Sequence, residues 1–412
     1  MTDSNGVRGV DRRRVLAWGG AAAVGVPLAS MGLSRADAVS TGLPGADRIP
    51  PDARPGGAYD RYVAQLAAAG KFSGVVLLSH RGRTVLSRSY GTADVQKKVL
   101  IREGTAFSLS SAGKPFLPVA VLQLVQRGKL RLSDTVGAHL EGFPKAVAER
   151  VTVHDLLTGA SGLRSPEEDV DRVFGSRAEV QRYYGQRARQ AELVGVPGVA
   201  STLHEEAGIT ISALIVEAVA GTTYWDYVQK NIFERCGMTG SAFYTRPQWL
   251  ADPNIAHPYM TLADGSVVDA VGNLEKGSGR PEVLGKNPGR AFIDAPGDGG
   301  FATAPDLVRF GQALGNGTLL ERPWADVLTA AKLPQGPASF GAYLCPVSIS
   351  GGQWVFERAG GNPGVGANWS IYPDTGWVGV ILSNTDSAPL REMIGRETQA
   401  ITGVEATGGG GG

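Results

Sequence analysis

One stretch, Phe107 to Leu132, constrains this chain more than any other: FSLSSAGKPFLPVAVLQLVQRGKLRL. It opens with small and hydroxylated residues and a glycine. It then turns apolar with helical period, placing Leu117, Val121, Leu124 and Val125 on one face. Gly128 stands where a helix stops. The pattern predicts Ser111 at a helix N-terminus, with Lys114 one turn later on the same side. Such a pair suits a nucleophile. Free N–H groups and the positive end of the helix dipole favour an oxyanion there. A lysine at i+3 can take the hydroxyl proton where neighbours and burial favour its neutral form. Taken alone, Ser-x-x-Lys is also a helix cap followed by a solvated lysine, so the rest of the chain must decide.

Residues 1–38 read as an export signal of the twin-arginine type. Arg12, Arg13 and Arg14 precede a mildly apolar Ala/Gly-rich run from Leu16 to Leu33, and Ala36-Asp37-Ala38 fits a small-residue cleavage site. The run is short and glycine-rich for a membrane span, and no cysteine stands nearby for lipid attachment, so no stable membrane anchor is expected. The whole chain carries a net charge of +1, and the signal holds five basic and three acidic residues, which leaves the mature part near −1. That balance argues against nucleic acid as a partner. It leaves the oligomeric state open. No His, Cys or carboxylate set has zinc spacing, and no metal or cofactor is expected. The two cysteines, Cys236 and Cys345, could pair in an exported protein, although a small buried side chain suits Cys236 better.

Residues 39–57 form a Pro/Gly-rich linker, and the folded domain is placed at 58–403 with a Gly-rich tail at 404–412. Tyr59, Tyr62, Val63 and Leu66 mark an amphipathic helix ended by Gly70. Phe72–Ser79 reads as a strand buried on both faces, and Arg81-Gly82 turns it into a second strand, Arg83–Tyr90. Toward the other end, 341–349, 353–358, 367–372 and 377–383 read as strands, followed by a last helix from Leu390 to Ile401. The middle is helical, with segments near 208–220 and 224–235 and one opened by Thr303-Ala304-Pro305. These elements imply a mixed α/β (α+β) fold. The first two strands and the last three or four share one antiparallel sheet flanked by terminal helices, beside a helical lobe.

The run SSAGKPFLPVAVLQLVQRGKLRLSDTV resembles the active-site helix of the serine β-lactamases and penicillin-binding proteins. The resemblance is nearest to the branch of class C β-lactamases, D-alanyl-D-alanine carboxypeptidases and esterases. Collinear segments at 151–163, 216–243, 297–320 and 359–384 extend it over roughly residues 58 to 402. It implies the β-lactamase/transpeptidase-like fold, with a site in the cleft between sheet and lobe.

Two motifs depart from the family's pattern. Its second motif is usually Tyr-x-Asn after a Pro-Gly turn. Here Pro197-Gly198 is followed by His204-Glu205-Glu206. A histidine can shuttle protons near neutral pH, and Glu206 could hold its ring. Tyr183 or Tyr184 could also enter the cleft in place of the missing tyrosine. The third motif, Lys-Thr-Gly or His-x-Gly in relatives, reads Arg358-Ala359-Gly360. An arginine does not shuttle protons but can clamp a carboxylate with two hydrogen bonds. Gly361 matches the strand position whose N–H, with that of Ser111, forms the oxyanion hole in relatives, and Gly360 lets a substrate backbone approach. The expected function is an exported serine hydrolase or acyl-transfer enzyme acting on an ester, a D-amino-acid peptide or a cell-wall stem peptide. Ser111 is its nucleophile, Lys114 the base and His204 a relay. The alternative is a binding protein on the same fold that has lost turnover.

Overall fold

The structure is a computed structural model that describes residues 48–200 and 206–404. The export signal and His204 lie outside these residues. Helix α1 (Ala58–Ala68) leads into β1 (Gly74–His80), every residue of which is buried, as the apolar run predicts. Strand β2 (Arg83–Tyr90) returns beside it through a turn at Arg81 and Gly82, both with positive φ (49° and 79°). After the turn Ser110–Gly113 comes α2 (Phe116–Gln126). Every residue from Phe116 to Leu124 is buried, so this helix is a core rod enclosed on all sides, not a one-faced amphipathic helix.

The lobe around α2 is built from α3 (Arg177–Arg189), α4 (Glu206–Ala220) and α5 (Tyr224–Val228). Beyond α5 the predicted helix widens into a π segment, Gln229–Phe233, before it ends at Gly237 with φ 68°. Helix α6 (Ala304–Gly315) starts as the sequence predicts, with the Thr303 side chain accepting from the Asp306 N–H. Phe116 of α2 packs edge-on between Phe233 and Phe310, centroids 5.0 Å from each, and so joins the π segment to α6.

The remaining strands are β3 (Leu333–Gly336), β4 (Ser339–Gly341), β5 (Pro346–Ser350), β6 (Gln353–Asn362), β7 (Val365–Tyr372) and β8 (Trp377–Ser383). They form one antiparallel sheet with the first two, in the order β3-β4-β5-β6-β7-β8-β1-β2. The single strand expected over 341–349 is two strands. The chain turns between them at Leu344, whose φ is 51° and whose N–H bonds to Leu157 O. Helix α7 (Leu390–Thr402) covers the sheet face that α1 also covers. Part of the expected linker is folded: Pro51–Ala53 forms a 3₁₀ turn and Ala53 is fully buried beside Tyr59 and Ile401. Cys236 and Cys345 are both free thiols, Cys236 half-buried and Cys345 buried.

Candidate active site

Strand β6 outruns its neighbour β5, whose pairing stops at Val347–Phe356. The turn Ser110–Gly113 occupies the edge this leaves open. Ser110 Oγ donates to Gly361 O at 3.0 Å, and Arg358 Nε donates to Ser111 O at 3.1 Å. Trp369 of β7 adds a third tie, its Nε1–H to Ala112 O at 2.8 Å. The approach is close enough to dictate sequence. A Cβ on Gly360 would stand 2.3 Å from Leu109 O, 2.4 Å from Ala112 N and 2.9 Å from Ser111 N. Gly360 is bare because it touches the protein's own backbone at Leu109–Ala112, whereas the sequence suggested substrate approach.

The β6–β7 hairpin sets the direction of the next residue. Its two-residue loop is Pro363-Gly364, closed by the Asn362–Val365 pair. Such a loop makes the closing pair hydrogen-bonded and the next pair, Gly361–Gly366, non-bonded. The N–H and C=O of Gly361 therefore point out of the hairpin toward the turn, as the Ser110 bond to its carbonyl demonstrates. Ser110 makes that bond from a left-handed backbone (φ 47°) that a serine rarely adopts.

Lys114 Nζ lies 2.9 Å from Ser111 Oγ. Lys114 is almost fully buried, whereas Ser111 is half-exposed. The expected Ser-x-x-Lys geometry is thus present, on a 3₁₀ turn leading into α2. A glycine-rich loop, Gly297–Gly300, closes the other side of the pair. Gly113 must lack a side chain here, since its Cβ would stand 1.7 Å from Gly299 O. The carboxyl of Asp294 fixes the loop, with Oδ2 accepting the Gly300 N–H at 2.6 Å. Burial pushes that carboxyl up to about 7, the nearby Asp298 charge adding to the effect and the Gly300 bond opposing it. Asp298 Oδ1 accepts the Gly299 N–H at 2.9 Å and lies 3.9 Å from Lys114 Nζ.

The other expected residues are placed as follows. Arg358 is a partly buried side chain next to Ser111, and desolvation pulls its guanidinium below the usual arginine range, opposed by Cys345 and Asp298. At least one of its edges therefore serves the protein itself. Glu206 opens α4 and accepts from Arg187 at 3.0 Å. His204, which it was expected to orient, lies outside the described residues. Tyr184 donates to Glu168 at 2.6 Å and Tyr183 accepts from the Asp169 N–H at 3.1 Å, so both hydroxyls have partners other than Ser111 and Lys114. No group of three or more metal-binding side chains occurs among the described residues. Ser110, Asp294 and Asp298 were missed in the sequence. The only hint was an aspartate set among three glycines at 297–300.

The β-lactamase family model matches residues 59–401. The chain belongs to this family. The putative penicillin-binding protein PbpX of Bacillus subtilis is 25% identical over 283 residues, 68% of this chain and 64% of that relative. Among solved structures, a penicillin-binding protein from Bacillus halodurans superposes with a TM-score of 0.68 at 23% identity, covering 81% of this chain and 97% of its own. The D-amino acid amidase of Ochrobactrum anthropi SV3 gives 0.64 at 19% identity, covering 84% and 99%. The sheet order and the flanking helices are therefore those of the β-lactamase/transpeptidase fold.

Proposed function

We propose that this family member is a serine hydrolase or acyl-transfer enzyme that works through an acyl-Ser111 intermediate. The observation that carries the reading is the contact of Lys114 Nζ with Ser111 Oγ at 2.9 Å, next to Gly361, whose carbonyl accepts from the neighbouring Ser110 at 3.0 Å. Lys114 takes the hydroxyl proton as Oγ attacks a carbonyl, and the N–H groups of Ser111 and Gly361 receive the oxyanion. Water, or another hydroxyl or amine, then releases the acyl group. Esters and D-amino-acid amides or peptides are the substrate classes of choice, in keeping with the names of the relatives. Export through residues 1–38 belongs to the same proposal. His204 is given no step in it.

A non-catalytic binding protein would have no use for a buried lysine aimed at a half-exposed serine. The test is hydrolysis of nitrophenyl esters and D-amino-acid amides, with covalent labelling by a fluorophosphonate. Ser111→Ala should lose labelling and turnover. Lys114→Ala should lose about 10²–10⁴-fold in kcat, the usual contribution of a positioned base. A Lys114→Ala enzyme that keeps more than a few per cent of parental kcat removes the dyad.

A further inference from the structure

We infer that Asp298 is the positioning residue of the Ser111–Lys114 pair: its carboxylate anchors the lysine and stabilises the positive charge that Nζ acquires with the serine's proton. The inference rests on the dyad reading above and adds a third member to it.

Three observations carry it. First, Asp298 lies within 4 Å of Lys114 Nζ, at 3.9 Å from Oδ1. Second, its backbone is built to stand there. Gly297, Gly299 and Gly300 all have positive φ (92°, 57° and 86°), Gly299 O fills the space where Gly113 has no side chain, and Asp294 ties the loop at Gly300. This gives the segment the shape to hold one side chain against the nucleophile turn. Third, the two side chains differ in access. Lys114 is shut off from water at 7% side-chain exposure, while Asp298 is 39% exposed. The lysine thus has a carboxylate where solvent would otherwise have to neutralise its charge.

The chemistry is that of an acid behind a base. As the Ser111 Oγ–carbon bond forms, the Oγ proton moves to Nζ and the carbonyl π pair moves to oxygen. From the neutral form of the lysine, one positive charge appears on Nζ and one negative charge on the carbonyl oxygen. The oxyanion is met by the N–H groups of Ser111 and Gly361, and the ammonium by Asp298. No proton reaches Asp298. It remains a carboxylate and acts as the aspartate does behind histidine in other serine hydrolases. When the tetrahedral species collapses, the bond to the leaving group breaks and the proton returns from Nζ to that group. Only interactions stronger in the transition state than in the ground state raise kcat, and this charge pair strengthens as the proton arrives. Arg358 and Asp294 are also near enough to Asp298 to feel its charge.

The experiment uses the full chain and a nitrophenyl ester. Asp298→Asn keeps the shape and an acceptor for the Gly299 N–H. It should lower kcat about 10–100-fold with KM within about threefold, less than the ~10⁴-fold loss of a fully buried triad aspartate because Asp298 is partly solvated. Its Tm should match the parent's. Asp298→Glu should retain part of the activity, and added formate should restore part of the kcat of Asp298→Ala. A kcat for Asp298→Asn within about twofold of the parent overturns the inference. So does equal loss in the Glu and Ala variants with no response to formate, since that is the signature of a loop that has simply lost its shape. Ser111→Ala separates the two readings. If it is dead while Asp298→Asn is fully active, only the role of Asp298 falls. If it turns over like the parent, the dyad falls too.

Discussion

Arg358 shows how one side chain changes meaning once its surroundings are known. In the sequence it stands in the third-motif register as a substrate clamp. In the fold its Nε holds the carbonyl of Ser111 from below. Removing a pure clamp would raise KM for substrates with a free carboxylate and spare neutral esters. Removing a support displaces the nucleophile for every substrate. Arg358→Ala should therefore lower kcat for neutral nitrophenyl esters about tenfold or more, the scale of loss expected from a small misplacement of a reacting group. An unchanged kcat on such esters, with only KM raised for acidic substrates, would return Arg358 to the clamp. The Ser111–Lys114 pair was legible because its members are one helical turn apart and helical period brings i and i+3 together. Asp298 and Ser110 were not. The partner of Asp298 is remote in sequence, and the left-handed backbone of Ser110 leaves no trace in a residue type that seldom adopts it.

At the scale of elements, the contact that matters is between β6 and the nucleophile turn. Strands near both chain ends were readable because their apolar runs are dense and bounded by glycine turns. The edge strand β3 and its neighbour β4 were not, since LPQG is largely exposed and the three residues of SFG are too few to show alternation. Nor could periodicity show that β6 extends past β5 to receive the turn. That extension makes Gly360 a spacer. Gly360→Ala places a methyl group against three backbone atoms that cannot rotate away. The variant should cost about 1–3 kcal/mol of stability, as overpacking does elsewhere. It should also lower kcat, because the strand and the turn must separate to make room. Thermal melting and ester kinetics on the same preparation check this. A variant as stable and as active as the parent would show that the strand shifts freely.

For the whole molecule, the layer between the sheet and its terminal helices holds an unusual charge load. Glu397 of α7 is fully buried, and neither of its carboxyl oxygens has a hydrogen-bond partner of good geometry among the described residues. It lies over Gly379 of β8, the residue whose Cβ would stand 2.2 Å from Oε1. Burial, with the charge of Glu357 of β6 adding to it, pushes it up to about 8. Burial also pushes Glu357 up to about 7. The folded state thus keeps protons that the unfolded chain releases near its ordinary value of 4.5. The stabilisation is complete below that value and is lost as pH rises through 7 to 8. Glu397→Gln, which stays neutral, should flatten the fall in Tm between about pH 5.5 and 8 and be the more stable form at the upper end, by on the order of a few kcal/mol. Melting curves across that range decide it, and parallel curves for the two proteins would mean that Glu397 is not the group that titrates.

Ser110 and the strand residue it grips, Gly361, are 251 positions apart. During synthesis the serine, its lysine and the whole helical lobe leave the ribosome long before Arg358 and Gly361 exist. Until then β1 has β2 on one side and nothing on the other, because its second neighbour, β8, ends at Ser383. On the proposed mechanism, a nascent or prematurely ended chain would carry Ser111 with no support below it and no second donor for an oxyanion. Competence would then arrive all at once, with the last strands, and the fold would set a delay between making the serine and being able to use it.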